Sequence, residues 1–159
     1  FGTLELFPSA TEIPKLQVLG PEPLTEDFDA RYLYPRLKAS SKEIKPFLLD
    51  QRLVAGIGNI YASEILFASG VLPQRSSHSL KKKEVQAIVE NTRRILLSAI
   101  EYNGTSVSDF RQVDEKTGEF QNFLQVYDKE SQPCPRCEVP LQRIVQQQRS
   151  TFFCIGCQK

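Results

Sequence analysis

Apolar residues recur at helical spacing through the first two thirds of the chain, and the pattern predicts four helices. The first covers 26–38, with Thr25 as its N-cap, because four apolar side chains fall on one face. The second follows the capping-box sequence 40–43 (SSKE), with apolar residues next at i, i+3 and i+4. Residues 1–20 have a β-like start and continue as proline-rich loops.

A glycine-rich turn separates the second and third predicted helices. The turn is 56–58 (GIG), and the following Asn59 is the predicted N-cap of a helix that runs to Ser69 and stops at Gly70. The first N–H groups of such a helix and its dipole favour an anion. The turn therefore indicates a candidate phosphate site, although two glycines alone are a weak signal.

The fourth predicted helix begins after Ser79 and ends at Asn103, and its apolar stripe is that of an ordinary core helix. Its first turn contains 81–83 (KKK), where the helix dipole disfavours cations. A solvated face or a neighbouring phosphate would account for them. Residues 105–119 are polar and aperiodic, and so long a loop is typically functional. The segment 123–127 then predicts a strand.

The four cysteines form two C-x-x-C pairs with sixteen residues between them. Each pair can direct two thiolates at one ion, and a hairpin with strands over 139–145 and 151–153 and a turn at 146–149 completes a tetrahedron. Two disulfides or a redox C-x-x-C are the alternatives, but a disulfide needs an oxidising compartment and a redox motif occurs once. We predict one structural Zn²⁺ held by Cys134, Cys137, Cys154 and Cys157.

Composition narrows the class of protein without identifying it. With 40% apolar and 25% charged residues among 159, wholesale disorder is excluded. No apolar run reaches the roughly 18 residues of a membrane span and no leader opens the chain, so we expect a soluble, cytoplasmic protein. The start at Phe1, inside an apolar stretch and without methionine, predicts a piece of a longer protein.

Charge is concentrated in the C-terminal segment. The whole chain carries a net charge of +1, but 134–159 hold four basic residues against one acidic residue. Together with the glycine turn, a basic zinc ribbon favours nucleic-acid binding. Arg149, at the tip of the predicted hairpin, is the candidate phosphate contact, and a solvated arginine is the alternative.

Segments along the whole chain match, in order, those of a known family: 19–24 (LGPEPL), 44–51 (IKPFLLDQ), 54–62 (VAGIGNIYA) with Glu64, 104–106 (GTS), 118–121 (GEFQ), 126–127 (VY) and 157–159 (CQK). They resemble formamidopyrimidine-DNA glycosylase. The resemblance implies a mainly α fold, in which a helix–two-turn–helix domain precedes a small β-hairpin zinc ribbon. It divides the chain into the end of an N-terminal β-sandwich with a linker (1–20), the helical domain (21–128) and the zinc finger (129–159).

The resemblance also implies an activity. The family excises oxidised purines, such as 8-oxoguanine and formamidopyrimidine, in base excision repair and then nicks the strand by β,δ-elimination. Its nucleophile is an N-terminal proline amine, in a domain that this sequence does not contain, so this chain alone is expected to be inactive. The implied partner is double-stranded DNA with an oxidised purine or an abasic site, bound by a monomer without membrane association.

Five positions correspond to DNA-holding residues of the family. Phe1 resembles the wedge that replaces the damaged base in the stack. Asn59, beside Gly58, resembles the turn asparagine that binds backbone phosphate, and Lys45 matches a family lysine near the same site. Arg149 resembles the zinc-finger arginine that grips flanking phosphates and is assigned as proton donor for δ-elimination. Because a guanidinium pKa exceeds about 12, phosphate binding is its better-supported role.

The loop at 105–120 resembles the lesion-recognition loop of the family, which implies roles for Thr105, Val107, Ser108, Asp109 and Phe110. Backbone amides there would contact the carbonyl oxygen of a flipped 8-oxoguanine. The endonuclease VIII-like glycosylases generally lack this loop and are one alternative. The others are a stand-alone zinc-ribbon DNA-binding module without lesion specificity and a zinc-ribbon scaffold for protein partners. Two residues depart from glycines that are usual in the family, Asn103 and Glu138.

Overall fold

The computed structural model describes residues 4–105 and 118–159. The described chain is helical first and ends in one antiparallel hairpin, which confirms the expected fold class. Short 3-10 turns lie at Ala10–Glu12, Ser77–Ser79 and Phe120–Phe123. None of the described helices is long and apolar enough to cross a membrane. The regular elements are α1 (Pro14–Gln17), α2 (Ala30–Lys38), α3 (Ile44–Leu49), α4 (Asn59–Ala68), α5 (Lys82–Glu101), β1 (Gln142–Gln146) and β2 (Arg149–Phe153).

Helix α2 begins four residues later than its sequence pattern indicates. Asp29 is the N-cap, and its carboxylate accepts the N–H of Tyr32 at 2.7 Å. The expected cap, Thr25, instead donates its hydroxyl to the carbonyl of Glu22 at 2.9 Å. Residues 25–28 form a turn that buries Phe28 completely, so tertiary burial and a carboxylate cap together set the start of the helix.

Helix α3 does not use its predicted capping box. The hydroxyl of Ser40 accepts the N–H of Lys42 at 3.2 Å, and the helix starts only at Ile44. The first N–H groups of α3 are satisfied from elsewhere in the fold, since Ile44 donates to the carbonyl of Arg75 at 2.8 Å. A neighbouring segment therefore replaces the local cap.

Helix α4 lies at the centre of the helical part. Its residues 62–67 are all buried, so it is enclosed on every side rather than amphipathic. Gly58 is its N-cap and Asn59 its first residue, whereas the sequence pattern makes Asn59 the cap. Gly70 follows the helix with a φ of 69°, as predicted for a C-terminal glycine. Around α4 lie the buried apolar residues Phe28, Leu33, Leu37, Ile44, Phe47, Leu48, Val85, Ile88, Val89 and Ile95.

The strand predictions hold only in the ribbon. Strand β1 pairs with β2 in an antiparallel register that places Gln142 opposite Phe153 and Gln146 opposite Arg149. The two-residue turn between them has positive φ at Gln147 and Gln148 (47° and 63°), which is typical of the turns that match the twist of a hairpin.

Two other β predictions are wrong. Residues 4–7, the described part of the β-like start, form no strand, and the predicted loops that follow contain a 3-10 turn and the short helix α1. In the predicted strand 123–127, the N–H groups of Gln125, Val126 and Tyr127 donate to the carboxylate of Glu64, each at 2.9 Å. A buried side chain thus takes the place of a neighbouring strand, and the apolar alternation does not reveal it.

Candidate nucleic-acid interface

The four cysteines converge at the base of the hairpin. Their four Sγ atoms all lie within 4.8 Å of one another. The Cys134–Cys157 and Cys137–Cys154 sulfur pairs are 3.8 and 3.5 Å apart, far beyond the roughly 2.05 Å of a disulfide bond. The arrangement suits one tetrahedral ion rather than two disulfides.

The protonation of these thiols shows why the cluster suits a cation. Burial opposes ionisation of Cys134, but the backbone N–H groups of Arg136 and Cys137 outweigh it and lower its pKa to about 7. Hydrogen bonds from Cys137, together with burial and Cys134, raise the pKa of Cys157 to about 12. Without a cation Cys157 therefore keeps its proton at neutral pH, whereas Zn²⁺ binding takes four thiolates.

The two C-x-x-C turns, 134–137 and 154–157, form the metal knuckle, which is attached to the C-terminal end of α4. The guanidinium of Arg136 donates to the carbonyl of Phe67 at 3.0 Å and lies 4.3 Å from the centre of its ring. Gln158 is buried; it accepts the N–H of Cys154 and donates to the carbonyl of Val71, both at 2.7 Å. These contacts attach the ribbon to the helical part, although its buried apolar residues form a cluster of their own with Phe67 and Val126.

The other end of the ribbon meets the N-terminal end of α4 at a buried lysine. Lys45, on α3, has no exposed surface. Its ammonium donates to Asn59 Oδ1 at 2.7 Å, to the carbonyl of Ser150 at 3.0 Å and to Thr151 Oγ1 at 2.7 Å. All three protons are thus used within the protein. We call this set of three elements, the Lys45 region of α3, the start of α4 and the start of β2, the joint.

Asn59 is held in the joint by its side chain. While its oxygen accepts from Lys45, its nitrogen donates to the carbonyl of Ser150 at 3.0 Å and to the hydroxyl of Tyr127 at 3.4 Å. The first backbone N–H groups of α4 can bind a ligand, because no described residue accepts the N–H of Asn59, Ile60 or Tyr61. The start of α4 at the half-buried Asn59 therefore has helix N–H groups without an acceptor among the described residues, and one amide proton that is only weakly bonded.

Arg149 is the exposed cation of the joint. Its side chain has no hydrogen bond or ion pair with any described residue, and it lies close enough to Lys45 to act on its charge. Burial, and then the charge of Arg149, lower the pKa of Lys45 to about 8. Two cations without a paired carboxylate make the joint electropositive.

A surface cleft of about 370 Å³ adjoins Arg149 and includes Lys42, Asp50 and Arg52. Both neighbouring cations contact Asp50 Oδ2 at 2.9 Å. The guanidinium of Arg52 and the ammonium of Lys42 hold the pKa of Asp50 well below its usual range. Each of these two cations therefore has a carboxylate partner, although the three groups together keep a net charge of +1, whereas the side chain of Arg149 has no such partner among the described residues.

Only the ends of the expected lesion-recognition loop belong to the described residues. The loop is closed at its base, where the N–H of Phe120 donates to the carbonyl of Gly104 at 3.0 Å. The hydroxyls of Thr105 and Tyr61 are 3.4 Å apart, so the loop begins beside the start of α4. The predicted site residues Phe1, Val107, Ser108, Asp109 and Phe110 lie outside the described residues.

Two family models match the chain. That of the formamidopyrimidine-DNA glycosylase H2TH domain, the helix–two-turn–helix domain, matches residues 19–111, and that of the zinc finger found in FPG and IleRS matches residues 131–159. The chain belongs to the formamidopyrimidine-DNA glycosylase family. The four-cysteine cluster is accordingly the zinc site of that finger, as the cysteine spacing predicts.

Relatives and solved structures agree with this family. The formamidopyrimidine-DNA glycosylase of Serratia proteamaculans is 48% identical over 141 residues, which are 89% of this chain and 52% of the relative. That of Ruegeria pomeroyi is 45% identical over 163 residues, 100% of this chain and 58% of the relative. The chain therefore spans about half the length of the curated relatives it matches.

The crystal structure of MutM (Fpg) from Thermus thermophilus superimposes with a TM-score of 0.87 at 44% identity, covering 92% of this chain and 56% of that chain. Lactococcus lactis Fpg, in a complex with DNA containing an abasic site, gives a TM-score of 0.84 at 38% identity, over 91% of this chain and 53% of that one. The likeness extends through both the helical part and the ribbon.

The two departures from family glycines have one conformational reason. Asn103 has a φ of 56° and Glu138 a φ of 63°, both in the left-handed region that favours glycine. Asparagine tolerates this region, so loop entry at Asn103 is retained at little cost. At Glu138 the chain accepts strain next to the metal knuckle.

Several residues of the joint and its supports escape prediction from the sequence. Arg136, Gln158, Ser150 and Thr151 give no signal, because their partners are distant in the chain. Glu64 has a weak one, as the only charged residue within 60–68. A charge in an otherwise apolar helix indicates a buried polar contact, but not which backbone it binds.

Proposed function

We propose that this chain is the DNA-binding part of a bifunctional formamidopyrimidine-DNA glycosylase and AP lyase. The DNA would be a duplex with an oxidised purine, such as 8-oxoguanine or formamidopyrimidine, or with an abasic site. The observation that carries the proposal is the joint, where an arginine side chain and helix N–H groups, all without a partner among the described residues, lie beside a buried ammonium.

These groups are ligands for phosphate rather than for bases. Arg149 would bind one backbone phosphate through its guanidinium fork, and its charge is available because no described carboxylate neutralises it. The N–H groups after Gly58, and the amide of Asn59 once it releases Tyr127, would bind a neighbouring phosphate at the positive end of α4. Such contacts fix the position of a duplex and supply most of its affinity.

The chemistry would be divided between this chain and the catalytic domain of the family. Base excision and strand nicking would use the N-terminal proline amine of that domain, so we expect no Schiff base with this chain alone. This chain would hold the strand, and the loop beginning at Thr105 would close over the flipped base. Its setting would be the bacterial cytoplasm, on the chromosome, with the domain division 1–20, 21–128 and 129–159 given by the resemblance.

The test is fluorescence anisotropy with a labelled duplex carrying one abasic-site analogue, across a salt series. We expect Arg149→Ala to weaken binding about tenfold and to reduce the salt dependence by about one phosphate contact. Arg31→Ala is the matched control, because it removes an equal charge from an exposed arginine that is ion-paired with Asp29. An unchanged salt slope for Arg149→Ala would remove the arginine from the interface.

The same titration with undamaged duplex separates the alternatives. Tighter binding to the abasic duplex supports a part of the enzyme that contributes to lesion recognition. Equal binding favours a DNA-binding module without lesion specificity, since Arg149 and the N–H groups at the start of α4 are ligands for phosphate and not for bases. No salt-sensitive binding to either duplex would favour the protein-scaffold alternative.

A further inference from the structure

Lys45 has an arrangement that direct DNA contact does not explain. It is completely buried, and its three ammonium protons are all donated to protein oxygens at 2.7 to 3.0 Å. A phosphate could bind it only by displacing one of these acceptors. The lysine for which the family resemblance implies a position near the DNA therefore lies in the protein interior.

The three acceptors come from the two elements that hold the proposed phosphate ligands. Asn59 is the first residue of α4, whereas Ser150 and Thr151 directly follow Arg149 in β2. The sequence separations are 14, 105 and 106 residues. One ammonium therefore connects the glycine turn of the helical part to the hairpin of the zinc ribbon.

Lys45 is also a buried charge without an acidic partner. No described carboxylate contacts its ammonium, and Arg149 is close enough to oppose its protonation. A buried cation of this kind is costly unless an anion reaches it. The ionisable groups on neighbouring elements are Arg149 on β2, Tyr127 in the segment before the ribbon and Glu43 before α3, and Glu43 is hydrogen-bonded to Gln146 at 2.7 Å.

We infer that Lys45 is a positioning residue that preassembles the phosphate site without touching DNA. Its hydrogen bonds keep the start of α4 and Arg149 at a fixed separation, and its charge lies behind the place where the phosphates bind. This inference rests on the proposed function and adds to it how the two halves of the site are held together.

The decisive experiment is a double-mutant cycle in the anisotropy assay with the abasic duplex. Lys45→Met keeps the length of the side chain and removes its donors and charge, and we expect a loss of affinity of about tenfold or more. In the Arg149→Ala background the same change should cost less than about threefold, because the lysine acts through the arginine. Equal costs in both backgrounds would overturn the inference.

A milder variant keeps the test informative if Lys45→Met disturbs folding. Thr151→Val removes one acceptor and keeps both the shape and the charge, so we expect a loss of a few-fold. Wild-type affinity for DNA would refute a hydrogen-bonded positioning role. Lys38→Met is the matched control, because it deletes an exposed lysine ammonium elsewhere. Co²⁺ substitution, read by its absorption spectrum, reports whether each variant retains the four-thiolate site.

A pH profile separates an electrostatic role from a purely structural one. Bound phosphate favours the charged lysine, so binding takes up a proton and affinity falls as the pH rises through about 8. Lys45→Met retains every other ionisable group and should lose this component of the profile; identical profiles would contradict the role of the charge. If Arg149→Ala itself has no effect, the proposed function fails, which is a different outcome from an additive cycle.

Discussion

The two ends of helix α4 differ in how their backbone groups are satisfied. At the C-terminal end, the carbonyl of Phe67 accepts from Arg136, and Gly70 closes the helix. At the N-terminal end, the N–H groups of Asn59 and Ile60 have no acceptor among the described residues. The ribbon contacts both ends, with its metal knuckle at one and its hairpin at the other. The satisfied end supports the fold, and the unsatisfied end is where a ligand can bind.

The largest expected effect is loss of the metal, which would remove the ribbon from both ends at once. Cys154→Ser should abolish zinc binding and weaken DNA binding at least about a hundredfold, because a metal knuckle of this size depends on the ion for folding. Zinc content and anisotropy measure the two effects. Ile155→Ser, at the exposed neighbouring position, is the control. A Cys154→Ser chain that retains zinc and its affinity for DNA would show that the joint does not depend on the metal site.

A large effect on stability is expected at the support of the joint. Glu64→Gln replaces a buried carboxylate that accepts three backbone N–H groups, so unfolding free energy should fall by about 3 kcal/mol. Urea unfolding measures it, and Glu90→Gln on the exposed face of α5 serves as control. A loss no larger than that of the control would mean that water replaces the carboxylate.

Two of the three ribbon arginines, Arg136 and Arg149, provide the sharpest comparison of the ends. Arg136→Ala should lower the unfolding free energy by about 1–2 kcal/mol and leave the salt slope of DNA binding unchanged, since its partners are the Phe67 carbonyl and ring. Arg149→Ala should leave the unfolding free energy unchanged and reduce the salt slope of DNA binding. Thermal melts and salt titrations on both variants test this. The comparison fails if the two arginines give the same pattern.

The smallest expected effect concerns backbone strain beside the metal. Glu138→Gly relieves a left-handed φ of 63° and should stabilise the ribbon by about 1 kcal/mol or less. Glu130→Gly, at a position without positive φ, should instead destabilise it. Titration of each variant with a chelator that competes for the zinc measures the difference in ribbon stability between the variants. An equal loss of stability in both would show that the strain is absorbed elsewhere.

Regular, local features were predictable from the sequence. The apolar stripe of α5, the stop at Gly70 and the hairpin between the cysteine pairs follow from periodicity, turn chemistry and metal-ligand spacing, all of which act over a few residues. The N-terminal boundaries of α2 and α3 were not, because Asp29 and the carbonyl of Arg75 replaced the expected caps. The strand expected at 123–127 failed for a similar reason, since its amides are bound by Glu64.

By itself, the sequence determined the family, the mainly helical class and the zinc ligands. It also indicated Asn59 and Arg149 as candidate phosphate residues. Each of these features depends on neighbouring residues or on a short motif. Only the tertiary structure decided that Lys45 is buried, that Asn59 is held by its side chain rather than capping its helix, and that no described residue pairs with the side chain of Arg149. These facts depend on partners up to about a hundred residues away. Burial and pairing are properties of the packed chain, and no local pattern specifies them.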